Sequence, residues 1–598
     1  MSYDRNSSGA IVGALMLVFL LPKGSIRSAD AVEPGRANPS DRTSNWTLKK
    51  EIVPRGAPTA VSLARGNGGE PRLLLVGIGD SLTHGTLDAT NNSTNTFNAY
   101  FQRVADLLAS EVSLIFSQPL FDDDSGDRVL PFEIPTNLGV DGADSFSIEG
   151  IEYFKRVGAA ENFETEAYYC DARLPRRLES AYDKVLYPIN LKTRRDATAL
   201  DSAIWLVNEY AQAGEGNHSA VALWIGNNDT STAALGSGGE NPMFLPVPAD
   251  QIESDITPAL RLLLRVARET GLVSFDAYTQ TSLERNMTEL DDFSAQYARI
   301  LDRMEAETDQ ALSSGRMDLF LLTLPYYSSV GYLVDSEDLE FYLRQIDPGY
   351  SVPPTFQRVA PVGEPITDPL RGDRVSLLTF GMMYTMLHTG RTVAEVNEVL
   401  ELGGLQRDDM VLSEAEQAYI AERIDGFNKV IRTQATSRGP HVHLVEVGKY
   451  LNDVLTGKSM VVVGGHVISR KWVRGGSFSL DGVHPGYTGH AFIANYVIER
   501  MNEALGLNAP PEDLLSVFAS DPYIDRDGDG WASGPSYPAH GIAEVLFYLT
   551  DADDTDASIG PDIPDDIWRR LSNAILRDVL GVPSIRREAE RLGIAAPD

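Results

Sequence analysis

The sequence predicts an α/β protein with a central parallel sheet, because short apolar runs alternate with amphipathic stretches at helical spacing. The run "RLLLVGIG" at 72–79 is apolar and ends in glycines, as is typical of a strand buried on both faces. The stretch 96–111 then predicts a helix whose apolar positions are Phe97, Phe101, Val104, Leu107 and Leu108.

The same alternation continues along the chain. Further strands are predicted at 112–119, 220–227, 318–327 and 441–451. Amphipathic helices are predicted at 292–312, 412–435 and 488–506.

Two stretches, about 230–290 and 335–410, break this rhythm after the third and fourth predicted strands, and we interpret them as insertions. Ligands of open α/β sheets bind beyond the carboxyl ends of the strands. The insertions are therefore candidates for a lid or a substrate-binding cap, and decoration of the fold is an equal alternative.

Composition narrows the classes of function. The chain has 598 residues and a formal net charge of −34, which disfavours binding to nucleic acid or to anionic lipid surfaces. Its single cysteine, Cys170, excludes an intramolecular disulfide and a cysteine-rich zinc site. We interpret Cys170 as a buried packing residue.

The N-terminus predicts export. The apolar run "AIVGALMLVFLLP" at 10–22 is shorter than the roughly 20 residues of a membrane span, and Ala29 and Ala31 form a small-x-small cleavage pattern. Residues 1–31 are thus a predicted signal peptide, with an uncleaved N-terminal anchor as the alternative. A polar lead-in follows at 32–70. A mature chain without a transmembrane span, in the periplasm, cell envelope or medium, is the expectation.

A serine stands directly after the first predicted strand, in "GIGDSLTHG" at 77–85. A serine at such a strand-to-helix turn ordinarily caps the helix. To act as a nucleophile, Ser81 needs a base that takes its proton and an acid that orients the base. We expect Asp80 to hydrogen-bond within the turn, and His84 to point away from Ser81.

His484 is the candidate base, because "SLDGVHPGYTGH" places it in a Gly/Pro-rich loop just before a helix. Asp481 lies three residues upstream, within reach of the imidazole Nδ1. The alternative is an Asp-initiated turn with a solvent-facing histidine.

Two loops offer candidate donors for a developing oxyanion. "WIGNND" at 224–229 places Asn228 at the end of a strand, and "NLGVDGADS" at 137–145 contains Gly142. An asparagine amide and a glycine N–H are suitable donors. Each motif alone is an ordinary turn.

Taken in order, "GDSLTHG", "NLGVDGADS", "GNND" and "DGVHP" resemble the four sequence blocks of the SGNH hydrolase superfamily, the GDSL esterases and lipases. The blocks are matched by Ser81, Gly142, Asn228 and His484. The resemblance covers a domain at 71–507 and leaves out the two insertions and the C-terminal region 508–598.

The resemblance implies a three-layer α/β/α sandwich with a central parallel sheet, of the flavodoxin-like kind. Ser81 would be the nucleophile, His484 the general base and acid, and Asp481 the residue that orients it. The oxyanion hole would combine the Ser81 N–H, the Gly142 N–H and the Asn228 amide, with no metal or other cofactor for catalysis. The three glycines around Ser81 would let the backbone lie close to a substrate.

The expected function is that of an exported carboxylesterase or lipase that cleaves carboxylic esters through an acyl-enzyme. A carbohydrate O-acyl esterase or a phospholipase of the same superfamily is the alternative. The apolar segment at 377–388 is a candidate acyl-pocket lining or a core helix. A reading from another class is a calcium-stabilised envelope binding protein with a vestigial hydrolase core.

The acidic C-terminal region, which we expect to be small and mostly helical, contains a second motif. "DRDGDGW" at 525–531 places Asp525, Asp527 and Asp529 at alternating positions, as in the first half of an EF-hand calcium loop. Its twelfth position is Ser536, so another acid, such as Asp551 or Asp553, would have to close the site. An acidic surface turn is the alternative to structural calcium.

Overall fold

A sheet of parallel strands forms the centre of the computed structural model. The chain contains the following strands: β1 (Leu73–Gly79), β2 (Leu114–Ile115), β3 (Asn137–Gly139), β4 (His218–Trp224), β5 (Met317–Leu322), β6 (Leu333–Asp335), β7 (Arg374–Ser376), β8 (Val411–Leu412), β9 (Val442–Val445), β10 (Val462–Val463) and β11 (His466–Val467). The central order is β2-β1-β4-β5-β9, and every pairing is parallel.

The structure describes residues 72–568 except 124, 154–167, 173–179, 213–215, 236–282, 285, 362, 365–367, 369–370, 402–409, 539–546 and 565–566. The segments 1–31 and 32–70, most of the first insertion and the end of the C-terminal region lie outside the described residues. The described helices are α1 (Ser81–His84), α2 (Ser93–Asn98), α3 (Tyr100–Ala109), α4 (Ala181–Leu186), α5 (Ile189–Thr193), α6 (Ala199–Gln212), α7 (Asn228–Leu235), α8 (Leu290–Glu307), α9 (Ser336–Ile346), α10 (Leu377–His388), α11 (Val393–Glu401), α12 (Glu414–Ser437), α13 (Val447–Leu455), α14 (Tyr487–Leu505) and α15 (Leu514–Ser520).

The predicted parallel sheet is confirmed, and it follows from the burial of its strands. Every residue of β1 and β5 is buried. Strands of this kind need apolar side chains on both faces, which is why β1 is continuously apolar and β5 is apolar except for Asp318. β3 also pairs with β1, at Gly77–Gly79, whereas β2 pairs at Leu73–Leu74, so that β2 and β3 occupy successive parts of one edge.

Several predicted element boundaries are wrong. The strands predicted at 112–119 and 318–327 are shorter, at Leu114–Ile115 and Met317–Leu322. The stretch 96–111 forms two helices, because the extended backbone of Ala99 separates α2 from α3 and leaves Phe97 41% exposed. The predicted strand 441–451 ends at Val445, and α13 follows it.

The described part of the second insertion contains α9, α10 and α11. It also contains β7, the middle strand of a separate antiparallel sheet, whose outer strands β6 and β8 lie at the two ends of the insertion. The apolar helix α10 packs through Phe380 against Tyr342 and Trp472, so this helix belongs to a core.

Close packing at Gly79 explains one glycine of the "GIGDS" turn. A Cβ atom there would lie 2.5 Å from the carbonyl oxygen of Trp224 and would also meet the Thr83 side chain. Gly77 has the same role against Phe101. Gly77 and Gly79 therefore face protein atoms, and their missing side chains permit close packing within the fold.

We predict that Gly79→Ala destabilises the fold by about 1–3 kcal/mol, because the added methyl group overpacks the β1–β4 junction. The measurement is the thermal unfolding midpoint. Gly381→Ala is the matched control, since a Cβ there meets no atom within 4 Å on α10. Equal midpoints for the two variants would contradict this packing argument.

Candidate active site

The candidate site lies where β1 and β4 end. Gly79 and Trp224 are register partners in the parallel pairing of these strands. Ser81 follows the first strand and Asn228 follows the second, so both lie at the carboxyl edge of the sheet. This edge is where open α/β sheets bind ligands.

Ser81 is the first residue of α1 but does not cap it. The N-cap is Asp80, whose Oδ1 accepts the Leu82 N–H at 3.0 Å. Asp80 Oδ2 accepts the Asn227 amide at 2.9 Å, which ties the two strand ends together. The prediction for Asp80 is confirmed, and the capping alternative for Ser81 is removed.

Burial raises the pKa of Asp80 to about 6, although its hydrogen bonds from Asn227 and Leu82 oppose that shift.

His484 and Asp481 form a buried pair. His484 Nδ1 lies 2.6 Å from Asp481 Oδ2. The same carboxylate accepts the backbone N–H groups of Val483 and His484 on Oδ1, each at 2.8 Å, and that of Ala89 on Oδ2 at 2.7 Å. The solvent-facing alternative for His484 is therefore wrong, since only 6% of this residue is exposed.

The electrostatics of this pair favour a charged imidazole. Burial alone would lower the pKa of His484, but the neighbouring Asp481 carboxylate outweighs burial and raises this pKa to about 9. For Asp481, burial opposes ionisation, and the charge and hydrogen bonds of His484 lower its pKa below the ordinary value. The pair thus holds a proton on the imidazole at neutral pH.

The two predicted donor loops meet beside Ser81. Asn228 donates its amide to the Ala143 carbonyl at 2.9 Å, which fixes the side chain and leaves a second N–H on the same nitrogen. Gly142 lies next to Ala143 and has φ +73°, a conformation that favours glycine.

Asp229 is a structural residue of the site that sequence reasoning missed. It is buried and accepts the Ser145 N–H at 3.0 Å and the Ser145 and Thr288 hydroxyls at 2.6 and 2.8 Å. It thereby fixes the Gly142 loop to the end of β4. The sequence offered one signal for this role, namely the position of Asp229 directly after Asn228.

Asp88 is a second missed residue, and it connects the C-terminal region to the Asp481 loop. Its Oδ1 accepts the Leu480 N–H at 2.8 Å, and its Oδ2 accepts the hydroxyls of Tyr523 and Tyr537, both at 2.6 Å. Burial and the Asp481 charge raise the pKa of Asp88 to about 7. No local pattern marks this contact, because it joins residues more than 390 positions apart.

His84 lies away from the site, as predicted. Its Nδ1 is 3.0 Å from the Gly139 carbonyl oxygen, and its ring stacks on Phe121. Burial lowers the pKa of His84 to about 4. Cys170 is also buried, as predicted, and burial raises the pKa of its thiol.

A cavity of about 160 Å³ joins the predicted residues. Ser81, Gly142, Asn228 and His484 all line it. Beyond these groups its wall is largely apolar and comes from four regions of the chain: Trp224, Leu235, Val330, Tyr332, Leu451, Val454, Leu455, Ile468, Phe478, Val483, Phe492 and Ile493.

The described residues between Tyr332 and Tyr450 do not line this cavity, so the segment 377–388 is core packing and not pocket lining. Sequence reasoning missed that α13 lines the cavity, because the first half of this helix falls within the strand predicted at 441–451.

The acidic motif of the C-terminal region converges as predicted. Ligand oxygens of Asp525, Asp527 and Asp529 lie within 4.8 Å of one another. Asp527 also belongs to a second such group with Asp551 and Asp554. Of the two acids suggested to close the site, Asp551 therefore lies near the motif, and Asp553 is not in the group.

No protein-family model, curated protein or solved structure matches this chain. Among the described residues, no helix is both long enough and apolar enough to cross a bilayer.

We predict that Asp481→Asn lowers the pKa of His484 from about 9 to its ordinary value or below, since burial then acts without the carboxylate. Histidine-labelled protein followed by NMR over pH 5–10 measures this, with His484→Gln assigning the signal. The buried His84 is the internal control, because burial, the Gly139 carbonyl and Arg128 set its pKa. An unchanged His484 midpoint in Asp481→Asn would refute the coupling.

Proposed function

We propose that this chain is a serine ester hydrolase that works as the SGNH superfamily does. The observation that carries the proposal is the cavity itself. Ser81, Gly142, Asn228 and His484 come from separate parts of the sequence, yet they line one pocket, and His484 is paired with Asp481.

The sheet order supports the resemblance. If β2 and β3 are counted as one edge strand, the order becomes 2-1-3-4-5, which is that of flavodoxin-like doubly wound folds. We therefore assign the α/β/α sandwich of that superfamily to the domain at 71–507, with Ser81 and Asn228 on either side of the switch point between β1 and β4.

In the proposed reaction, Ser81 Oγ attacks the ester carbonyl carbon while His484 takes its proton. The carbonyl π electrons move onto oxygen, where the Ser81 N–H, the Gly142 N–H and the Asn228 amide stabilise the negative charge. Collapse of this intermediate breaks the C–O bond, and His484 protonates the leaving alcohol. Water then attacks the acyl-serine by the same steps, releasing the acid and restoring Ser81.

Asp481 acts by orienting the imidazole and by stabilising its charged form. The raised pKa of His484 keeps its imidazole protonated in the free enzyme at neutral pH, and a protonated imidazole cannot take the Ser81 proton. We therefore expect kcat/KM to rise as pH increases through the alkaline range. None of these steps involves a metal ion.

The apolar wall favours a hydrophobic acyl chain, so a carboxylesterase or lipase is the proposed class. A carbohydrate O-acyl esterase would present polar groups around a small acyl pocket, whereas this cavity is lined by Val454, Leu455 and Phe492. With the predicted signal segment, we place the activity outside the cytoplasm.

The reading as a binding protein with a vestigial core is disfavoured because nothing in the pair or the donor loops is missing. Asp481 accepts four N–H groups in the described structure when the imidazole Nδ1 is protonated.

We predict that Ser81→Ala abolishes hydrolysis of p-nitrophenyl esters and that Asn228→Ala lowers kcat roughly 10²–10³-fold. Ser329→Ala is the matched control, because Ser329 lines the same cavity and its hydroxyl donates to Asn452 and not to a residue of the proposed reaction. Hydrolysis by Ser81→Ala at the wild-type rate would overturn the proposal, and a loss below threefold for Asn228→Ala would remove the amide from the oxyanion hole.

We also predict a preference for longer acyl chains, with kcat/KM rising about fourfold for each buried methylene. Thr232→Phe should reduce this preference by filling the cavity, whereas Thr232→Val, which keeps the side-chain volume, should not. A panel of esters from acetyl to decanoyl measures both. An acetyl optimum in the wild type would favour the O-acyl esterase reading instead.

A further inference from the structure

The acidic loop at Asp525–Asp529 has a second carboxylate group packed against it. Within the described residues, ligand oxygens of Asp525, Asp527 and Asp529 form one group, and those of Asp527, Asp551 and Asp554 form a second group that shares Asp527. Arg526 makes a salt bridge with Asp554 at 3.0 Å. In the described part of the chain no cation pairs with Asp525, Asp527, Asp529 or Asp551.

Two carboxylate oxygens of this group are buried without a partner. Asp551 is only 7% exposed, and its Oδ2 accepts no hydrogen bond from the described residues, while its Oδ1 accepts the Asp553 N–H. Asp527 Oδ2 is also a buried oxygen that accepts no hydrogen bond from the described residues. A buried anionic oxygen without a partner costs free energy, which a bound cation would offset.

The carboxylates of this cluster lie close enough to repel one another, because the ligand oxygens within each of the two groups lie within 4.8 Å. A hard divalent cation is the ligand that such oxygen donors prefer.

We propose that Asp525, Asp527, Asp529 and Asp551 bind a calcium ion, with Asp554 beside it. Asp551 supplies from a separate segment the ligand that an EF-hand takes from its twelfth position, which is Ser536 here. The site joins the 525–531 loop to the segment at 551–554.

Its position gives the ion a structural role for the candidate active site. Tyr523, two residues before Asp525, donates to Asp88, and Asp88 holds the Leu480 N–H next to Asp481. On the other side of the loop, the Gly530 carbonyl accepts the Tyr342 hydroxyl at 2.8 Å. Calcium would therefore fix the C-terminal region against the loop that carries Asp481.

The test is calcium titration of the chelator-treated full chain, with binding followed by calorimetry and stability by the thermal midpoint. We expect saturable binding and a midpoint raised by several degrees, with magnesium much less effective. Asp551→Asn should weaken calcium binding roughly tenfold or more without lowering the calcium-free midpoint, because it removes a repelling charge.

Asp556→Asn is the matched control, since Asp556 lies two residues beyond the 551–554 segment and its carboxylate accepts, among the described residues, the N–H and hydroxyl of Ser558. It should bind calcium as the wild type does. Absence of binding at millimolar calcium, or equal effects of Asp551→Asn and Asp556→Asn, would overturn the proposal. Since binding and melting are measured without substrate, neither outcome depends on esterase activity.

Discussion

The parallel pairing of β1 with β4 is the constraint on which the candidate site depends. Because Gly79 and Trp224 are register partners, the loops after the two strands begin side by side. The hydrogen bond between Asp80 and Asn227 then joins residues 147 positions apart and sets the spacing between the serine turn and the donor loop. Gly79 has no Cβ, which permits this approach.

The second requirement is the burial of Asp481. A carboxylate without water needs hydrogen bonds to remain ionised, and Asp481 has them from the imidazole and from three backbone N–H groups. One donor, Ala89, belongs to the segment that follows the serine turn. The base is therefore positioned from both sides, by its own loop and by the chain that carries Ser81.

Local sequence patterns predicted the parallel strands. Together with the superfamily resemblance they also singled out Ser81, Gly142, Asn228 and His484, which line one cavity, but not its apolar wall. Continuous apolar runs mark buried parallel strands, and the residues at the strand ends carry the polar chemistry. The break at Ala99 and the start of α13 were missed, since apolar spacing alone does not locate a change of backbone direction. The contacts of Asp88 with Tyr523 and Tyr537 were missed because each of them joins residues more than 400 positions apart. The superfamily assignment and the export signal stay predictions.

The most direct test of the central claim is the site of covalent labelling by a fluorophosphonate, in which a serine oxygen attacks phosphorus and displaces fluoride. Peptide mass spectrometry of the labelled, folded protein locates the adduct. The account predicts one adduct, on Ser81, whose formation slows when His484 is replaced by glutamine. An adduct on another serine, or unlabelled protein that is fully folded, would contradict the assignment of Ser81 as the nucleophile.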